Sequence, residues 1–385
     1  MNTKQKKALM PKLRFPEFRE TGDWSCEKTD HLVDTVTPPK KLPTSSYGLV
    51  GKFPIIDQSQ SEVCGWTDDS DALVHEGLPL IIFGDHTCAL KFVSQPFAQG
   101  ADGIKILKSR AKIAASYLYQ YLNYQPVVTE EYKRHYSILK EKLVLFPQHI
   151  SGEQQKIADC LSSLDELIAA QARKVKALKT HKKGLMQQLL PREGETQPRL
   201  RFPEFQNTGE WESKLLDDVV KSFKTGKLDA NAMVEGGQYR FYTCAKNYYQ
   251  IDRYAFEGEA LLVAGNGAHL GYIHHYIGKF NAYQRTYVLQ QFETNVVFLR
   301  YLLDRYLPAR IQFEKKDGNT PYIVLSTLTE MPLVIPINPD EQKRIAICLR
   351  SLDSLIAAAT EELGTLKHHK EGLMQQLFPN LEDQK

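Results

Sequence analysis

The sequence predicts an α+β protein with an internal pseudo-two-fold repeat: two tandem globular domains separated by two long helices that form an antiparallel coiled coil. Three observations predict it. LRFPEF occupies residues 13–18, followed by TGDW, and returns at 200–205, followed by TGEW. EQQKIADCLSSLDELIAA (153–170) is matched by EQKRIAICLRSLDSLIAA (341–358), and KTHKKGLMQQLLP (179–191) by KHHKEGLMQQLFP (367–379). Between these matches, residues 25–145 and 212–333 diverge almost completely. An offset of about 187–188 residues is too long for a solenoid unit. It marks tandem duplication of a domain plus a helix, in which one set of positions keeps its role and the other takes two different roles.

Each diverged stretch reads as mixed, with strands in the majority. Short apolar runs at 80–83, 104–107, 143–146, 261–264, 287–289 and 331–335 are bounded by Gly, Pro, Asp or Ser, the pattern of strands. Helical spacing appears at 111–122 and 295–307.

The repeated helices have start and stop signals. Ser151 with Gln154 has capping-box spacing, and Asn338-Pro339 with Glu341 reads as N-cap, N1 and N3. Pro191 and Pro379 end them. Between these marks a seam steps by four and three: Ile157, Leu161, Leu164, Ile168, Gln171, Val175, Leu178, Lys182, Leu185, Leu189. Its counterpart runs Ile345, Leu349, Leu352, Ile356, Ala359, Leu363, Leu366, Lys370, Leu373, Leu377. Such a series predicts a coiled coil, with helices roughly 55 Å long; packing of each helix on its own domain alone is the alternative. Lys182 and Lys370 interrupt the seam, either fixing its register or, as favoured here, extending their charges into solvent. GLMQQL is identical at 184–189 and 372–377, although 171–177 and 359–365 have drifted apart. Recent duplication explains the identity less well than one partner protein bound twice. The candidate partner surface is Gln154, His181, Met186, Gln187 and Gln188, with Gln342, His369, Met374, Gln375 and Gln376.

Composition narrows the function classes. The 385 residues are 42% hydrophobic and 25% charged, as in soluble globular proteins, and support two or more domains. A net charge of +3 permits a local basic surface without requiring one. Six cysteines without a CxxC pair favour a reducing compartment over a disulfide framework. The basic N-terminal stretch lacks the apolar core of a signal peptide, and no apolar run reaches the length of a membrane span.

The loops carry residue types that contact nucleic acid, since Arg and Lys suit guanine edges and phosphates, and Asn and Gln suit adenine. The first domain offers Lys40, Lys41, Lys52, Gln58, Ser59, Gln60, His86, Thr87 and Gln99. The second offers Arg240, Tyr242, Lys246, Asn247, Asn266, His269, Gln284 and Arg285, interleaved with aromatics. Catalytic signatures are missing. No phosphate-binding Gly-x4-Gly-Lys-Ser/Thr loop exists, and Gly265-Asn-Gly267 with Gly271 reads as a turn. His269, His274 and His275 lack closed metal-site spacing, and no catalytic residues or metal ligands are assigned.

Two unlike α+β domains, each preceded by LRFPEF and a Trp and followed by an EQ..IA..L..LD..I helix, resemble the specificity (S) subunit of type I restriction–modification systems. The signature falls on 153–168 and 341–356, and 318–336 matches the stretch before the second helix. The first half departs there, because 134–137 contains no glycine. The resemblance implies target-recognition domains at 1–150 and 192–338, spacer helices at 151–191 and 339–379, and a tail at 380–385. It implies a noncatalytic, cytoplasmic subunit that reads double-stranded DNA and docks two methyltransferase (M) subunits and, through them, restriction (R) subunits. No cofactor is expected on this chain; S-adenosylmethionine, ATP and Mg would sit on the partners. A coiled-coil adaptor that binds proteins without DNA specificity is the alternative.

Overall fold

The computed structural model describes residues 10–101, 103–128, 134–314 and 322–379. Of the segment matched at 318–336, residues 318–321 lie outside the described residues, as does the tail at 380–385. The chain forms two compact units, one of residues 1–172 with 361–385 and the other of 173–360. Compactness thus groups half of each long helix with each globular domain.

In the first unit the strands are β1 (Ser25–Lys28), β2 (Val33–Val36), β3 (Phe53–Ile56), β4 (Gly65–Thr67), β5 (Leu73–Val74), β6 (Leu80–Gly84), β7 (Leu90–Val93), β8 (Phe97–Gln99), β9 (Ile104–Ser109) and β10 (Leu143–Phe146). They form sheets of order β2-β9-β6-β7 and β4-β3-β8-β5, plus the pair β1-β10. The helices are α1 (Ala115–Tyr124), α2 (Tyr136–Glu141) and the first part of α3 (Glu153–Leu189). Strand alternation explains why β6 is apolar throughout. Ile81 and Phe83 join Leu107 and the α1 residues Tyr117, Leu118 and Tyr121 in one core. Leu80 and Ile82 join Ile104, Ile106, Ile56 and Phe97 in another.

The second unit contains β11 (Glu212–Leu215), α4 (Leu216–Val219), β12 (Val220–Thr225), β13 (Tyr239–Tyr242), β14 (Tyr249–Ile251), β15 (Phe256–Ala264), β16 (Ile273–Ala282), β17 (Thr286–Phe292), α5 (Val296–Glu314), α6 (Leu325–Thr329), β18 (Pro332–Ile335) and the first part of α7 (Pro339–Leu377). Six strands form one sheet of order β12-β17-β15-β16-β13-β14, and β11 pairs with β18. Leu261, Val263, Ile273 and Leu289 pack with Phe298, Leu299, Leu302 and Leu303 of α5. On the other face, Ala260, Leu262 and Phe280 surround Tyr242. Gly258 and Gly278 stand opposite each other in the β15–β16 register. Both have positive φ, 101° and 142°, where a side chain would be strained. This glycine pair lets both strands bend. The ring of Tyr242, which pairs with Ala282, therefore also reaches His274 near the other end of β16, at 4.9 Å.

All six strand expectations fall on strands. The helix expected at 111–122 begins later, at Ala115, and the one expected at 295–307 continues through Pro308 to Glu314. Every seam position on α3 and α7 is buried or half-buried. In the first unit Lys370 Nζ lies 2.6 Å from Asp165 Oδ1, and Gln171 Nε2 donates to Glu362 at 2.7 Å. In the second, Lys182 Nζ lies 2.6 Å from Asp353 Oδ1. In the first unit the partners rise along α3 as they fall along α7, so those segments are antiparallel. These pairs correct the expectation of seam lysines reaching into solvent. Each ammonium is largely covered and meets a carboxylate of the facing helix, the arrangement that fixes register.

Candidate nucleic-acid interface

The repeated motifs build one frame in each unit. Arg14 sends Nε and Nη2 to the two carboxylate oxygens of Glu153, both at 2.7 Å, and Nη1 to Thr21 O at 2.6 Å. Arg201 repeats this with Glu341 at 2.7 Å twice and Thr208 O at 2.8 Å. The preceding leucines cap helix ends: Leu13 N donates to Gln376 O, and Leu200 N to Gln188 O, both at 2.9 Å. LRFPEF therefore joins the start of one long helix to the end of the other in each unit.

The glutamine after each glutamate is also used internally. Gln154 Nε2 donates to Pro147 O at 2.7 Å and Lys112 O at 3.0 Å, while its Oε1 accepts from Ala114 N at 2.7 Å. Gln342 Nε2 donates to Pro336 O at 3.0 Å, and its Oε1 accepts from Asn295 N at 3.0 Å and Thr294 Oγ1 at 2.8 Å. Two corrections follow. Gln154 does not complete a capping box with Ser151, whose Oγ instead accepts from Glu153 N at 3.3 Å. Gln154 and Gln342 are also buried with their amides engaged, so they are clips for the domains and not partner surface. Met374 is buried and Met186 half-buried, both packed in cores. His181, Gln187, Gln188, His369, Gln375 and Gln376 are exposed.

In the first domain, two candidate loops meet. Thr87 Oγ1 donates to Gln58 O at 2.5 Å, and Asp57 Oδ1 accepts from Ser59 N at 2.9 Å. The Gln58 amide lies 2.8 Å from where a Cβ at Gly103 would stand, and the φ of +100° at Gly103 is one that favours glycine. Beneath them Lys91, which sequence reasoning missed, is buried and donates to Asp57 O at 2.7 Å. Its burial lowers its pKa. His86 is half-buried beside Thr87, and Gln60, Lys41 and Lys52 are exposed. Lys40 is exposed and pairs with Asp69 at 2.6 Å, a surface contact worth little. Gln99 is a correction. It is 3% exposed, on the central strand β8, and faces no solvent through which to meet DNA.

In the second domain, the candidate loops converge at one rim of the curled sheet. Gly265 N donates to Arg285 O at 2.9 Å, Cys244 Sγ to the same oxygen at 3.4 Å, and His274 Nε2 meets Ala245 O at 2.9 Å. Gly267 and Gly271 have φ near +80°, confirming that this segment is a turn. These contacts gather Asn266 and His269 with Gln284 and Arg285, and with exposed Lys246 and Asn247. Burial holds the His274 pKa below its ordinary value. Arg240 is held against two rings, its Cζ 4.2 Å from the Tyr248 centroid and 4.6 Å from that of Tyr276. Its Nη1 donates to Tyr242 Oη at 3.3 Å. Tyr242 itself is 2% exposed, so it supports Arg240 from below and does not present a surface. Tyr276 was missed, although the alternation His274-x-Tyr276 on a strand signals one shared face.

A duplicated frame of arginine forks, glutamine clips and long-helix segments, holding two four-stranded sheets in one unit and a six-stranded sheet in the other, defines a tandem-repeat module. Residues 208–368 match the family model of the type I restriction modification DNA specificity domain. A curated relative, the type I restriction enzyme EcoDI specificity subunit of Escherichia coli, is 40% identical over 148 residues. That match covers 38% of this chain and 32% of the relative, so the chain spans about a third of that protein's length. Among solved structures, the type I restriction-modification S subunit from M. genitalium superposes with a TM-score of 0.72 at 20% identity, covering 97% of this chain and all of that one. A chain solved in work on complex assembly and conformational transition of the type I R-M system gives 0.50 at 13% identity, covering 93% and 98%. Residues 208–368 thus carry the likeness to the type I restriction modification DNA specificity domain, and the whole chain shares the fold of the M. genitalium S subunit.

Proposed function

We propose that this chain is the noncatalytic DNA-specificity subunit of a cytoplasmic type I restriction–modification complex. Its two variable domains read the two halves of a bipartite, asymmetric double-stranded DNA target. Two methyltransferase subunits dock on the repeated frame, and restriction subunits join through them. S-adenosylmethionine, ATP and Mg belong to those partners. One observation carries the reading: the Arg–Glu forks and Gln clips are built the same way twice, yet one frame holds two four-stranded sheets and the other a single six-stranded sheet. A repeated frame around unlike readers suits an asymmetric target. Exposed His181, Gln187, Gln188, His369, Gln375 and Gln376, identical in both copies, are the proposed docking surface. In the first domain, Lys40, Lys41, Lys52, Gln58, Ser59, Gln60, His86 and Thr87 are the proposed DNA face. Lys246, Asn247, Asn266, His269, Gln284 and Arg285 serve the second.

Methylome sequencing of a host expressing this chain with its methyltransferase, against the same host without this chain, tests the proposal. The expected result is a new asymmetric motif, two short blocks with a fixed gap of roughly 5–8 bp, as readers one helical turn apart would give. An assembled complex that adds no motif would favour the protein-binding adaptor.

A further inference from the structure

We infer that Arg240 reads one guanine in the block recognised by the second domain, by presenting its guanidinium edge to the O6 and N7 acceptors. The inference rests on the proposed DNA-reading function and assigns a base to a single side chain.

This guanidinium is held against two rings, its Cζ over Tyr248 at 4.2 Å from the centroid and over Tyr276 at 4.6 Å. A guanidinium held against aromatic rings offers a ligand the N–H groups at its edge. Of its five donors, one reaches Tyr242 Oη. No carboxylate forms an ion pair with it among the described residues, whereas the half-buried or buried Arg14, Arg201, Arg300 and Arg310 are each paired with one; Arg305 of α5 is the other half-buried arginine without such a pair. The Tyr242 contact raises its pKa further, so the charge is fixed. Its position is equally fixed. Tyr242 is packed by Tyr276 at 5.6 Å and by Phe280 at 6.0 Å. Arg240 is half-buried, and the exposed Lys246 and Asn247 immediately precede Tyr248 in the chain.

A planar pair of acceptors matches such an edge, and two are found on DNA: the guanine O6/N7 edge and a phosphodiester. The rigid mounting favours the base. Phosphate attraction is largely a matter of charge and needs no fixed plane, and exposed Lys246 and Arg285 supply charge at the same rim. Bidentate contact with guanine depends on the plane.

The test uses the assembled complex with its methyltransferase, once the wild-type motif is known. Duplexes carry 7-deazaguanine, which lacks the N7 acceptor, at each guanine of the second-domain block in turn. The wild-type complex should lose on the order of 10-fold in binding at one position. Arg240→Ala should lose nothing further there and should relax the methylation motif at that base alone. Arg240→Lys, which keeps the charge and removes the fork, should also relax it, and thermal melting of both variants reports whether the unit stays folded. Arg240→Lys methylating at wild-type rate with an unchanged motif would assign Arg240 to a phosphate and overturn the inference. So would an unaltered response to 7-deazaguanine at every position, or a second-domain block without a G·C pair. If wild-type complex shows no sequence preference at all, the DNA-reading proposal fails with it.

Discussion

Replacing Arg14 with alanine tests whether the LRFPEF fork holds the first helix in place. The Arg14 side chain is 6% exposed and that of Glu153 1% exposed, and two 2.7 Å hydrogen bonds join them. Removing the cation leaves a carboxylate buried without its counter-charge, which costs about 3–5 kcal/mol. In a unit of this size each kcal/mol lowers Tm by about 2–4 °C, so the expected fall is on the order of 10 °C. The equivalent Arg201→Ala should cost less. Glu341 keeps a donor in Trp211 Nε1, 3.3 Å away, whereas Trp24 Nε1 has no partner in the described structure. Arg14→Ala with Glu153→Ala should cost less than the two single changes added, because the double variant buries no orphaned charge. Thermal melting combined with amide hydrogen exchange over 153–160 measures both effects. Arg14→Ala melting within about 2 °C of wild type, with unchanged exchange at the helix start, would refute the fork.

Two further outcomes follow from the frame. Asp353 is pushed upward by burial, but hydrogen bonds from Lys182 and Tyr301 outweigh that and hold its pKa below the ordinary carboxylate value. A depressed folded pKa means that the group stabilises the fold above its unfolded pKa of about 3.9. That contribution is lost as pH falls through the lower folded value, so Asp353→Asn should flatten the acid limb of a melting-temperature profile below about pH 4; an unchanged limb would contradict the pairing. Gln154→Ala strands Ala114 N together with Pro147 O and Lys112 O, and should cost about 1–3 kcal/mol. Denaturant titration measures it, and a loss under about 0.5 kcal/mol would show that water replaces the clip.

The frame was legible because its signals are periodic and doubled. The 4-3 seam predicted which faces of α3 and α7 are covered, and every seam residue is at least half-buried. What the seam could not reveal is the partner of an interrupting lysine. Asp165 and Asp353 come from the facing helix, far away in sequence. The roles of Gln154 and Gln342 were hidden for a related reason: apart from Thr294 Oγ1 on Gln342, their partners are backbone atoms, which leave no trace in side-chain composition. Among the loop residues, residue type identified Arg240 but also Gln99 and Tyr242, which the sheets bury. A loop glutamine and a strand-end glutamine look alike until the pairing of β8 with β3 and β5 places Gln99 inside a sheet.

Those backbone contacts also explain how one frame accommodates two unrelated readers. The frame touches the first variable domain at Pro147 O, Lys112 O and Ala114 N, and the second at Pro336 O and Asn295 N. Backbone carbonyls and amides are the same whatever side chain follows them. The other shared contact is an edge-on packing of the LRFPEF-linked tryptophan against an aromatic ring, Trp24 on Tyr117 at 6.2 Å and Trp211 on Phe298 at 6.0 Å, which requires only a ring. The short pairs β1-β10 and β11-β18, joined by ladder hydrogen bonds, likewise impose register without specifying the strands beyond them. A domain can therefore change from two four-stranded sheets to one six-stranded sheet while the forks, clips and strand pairs stay as they are. The near-identity of the repeated ends and the divergence of the interiors are then compatible: much of the frame's grip is on backbone, and where it meets side chains the partners differ, Gln120 on Asp165 in one unit and Tyr301 on Asp353 in the other.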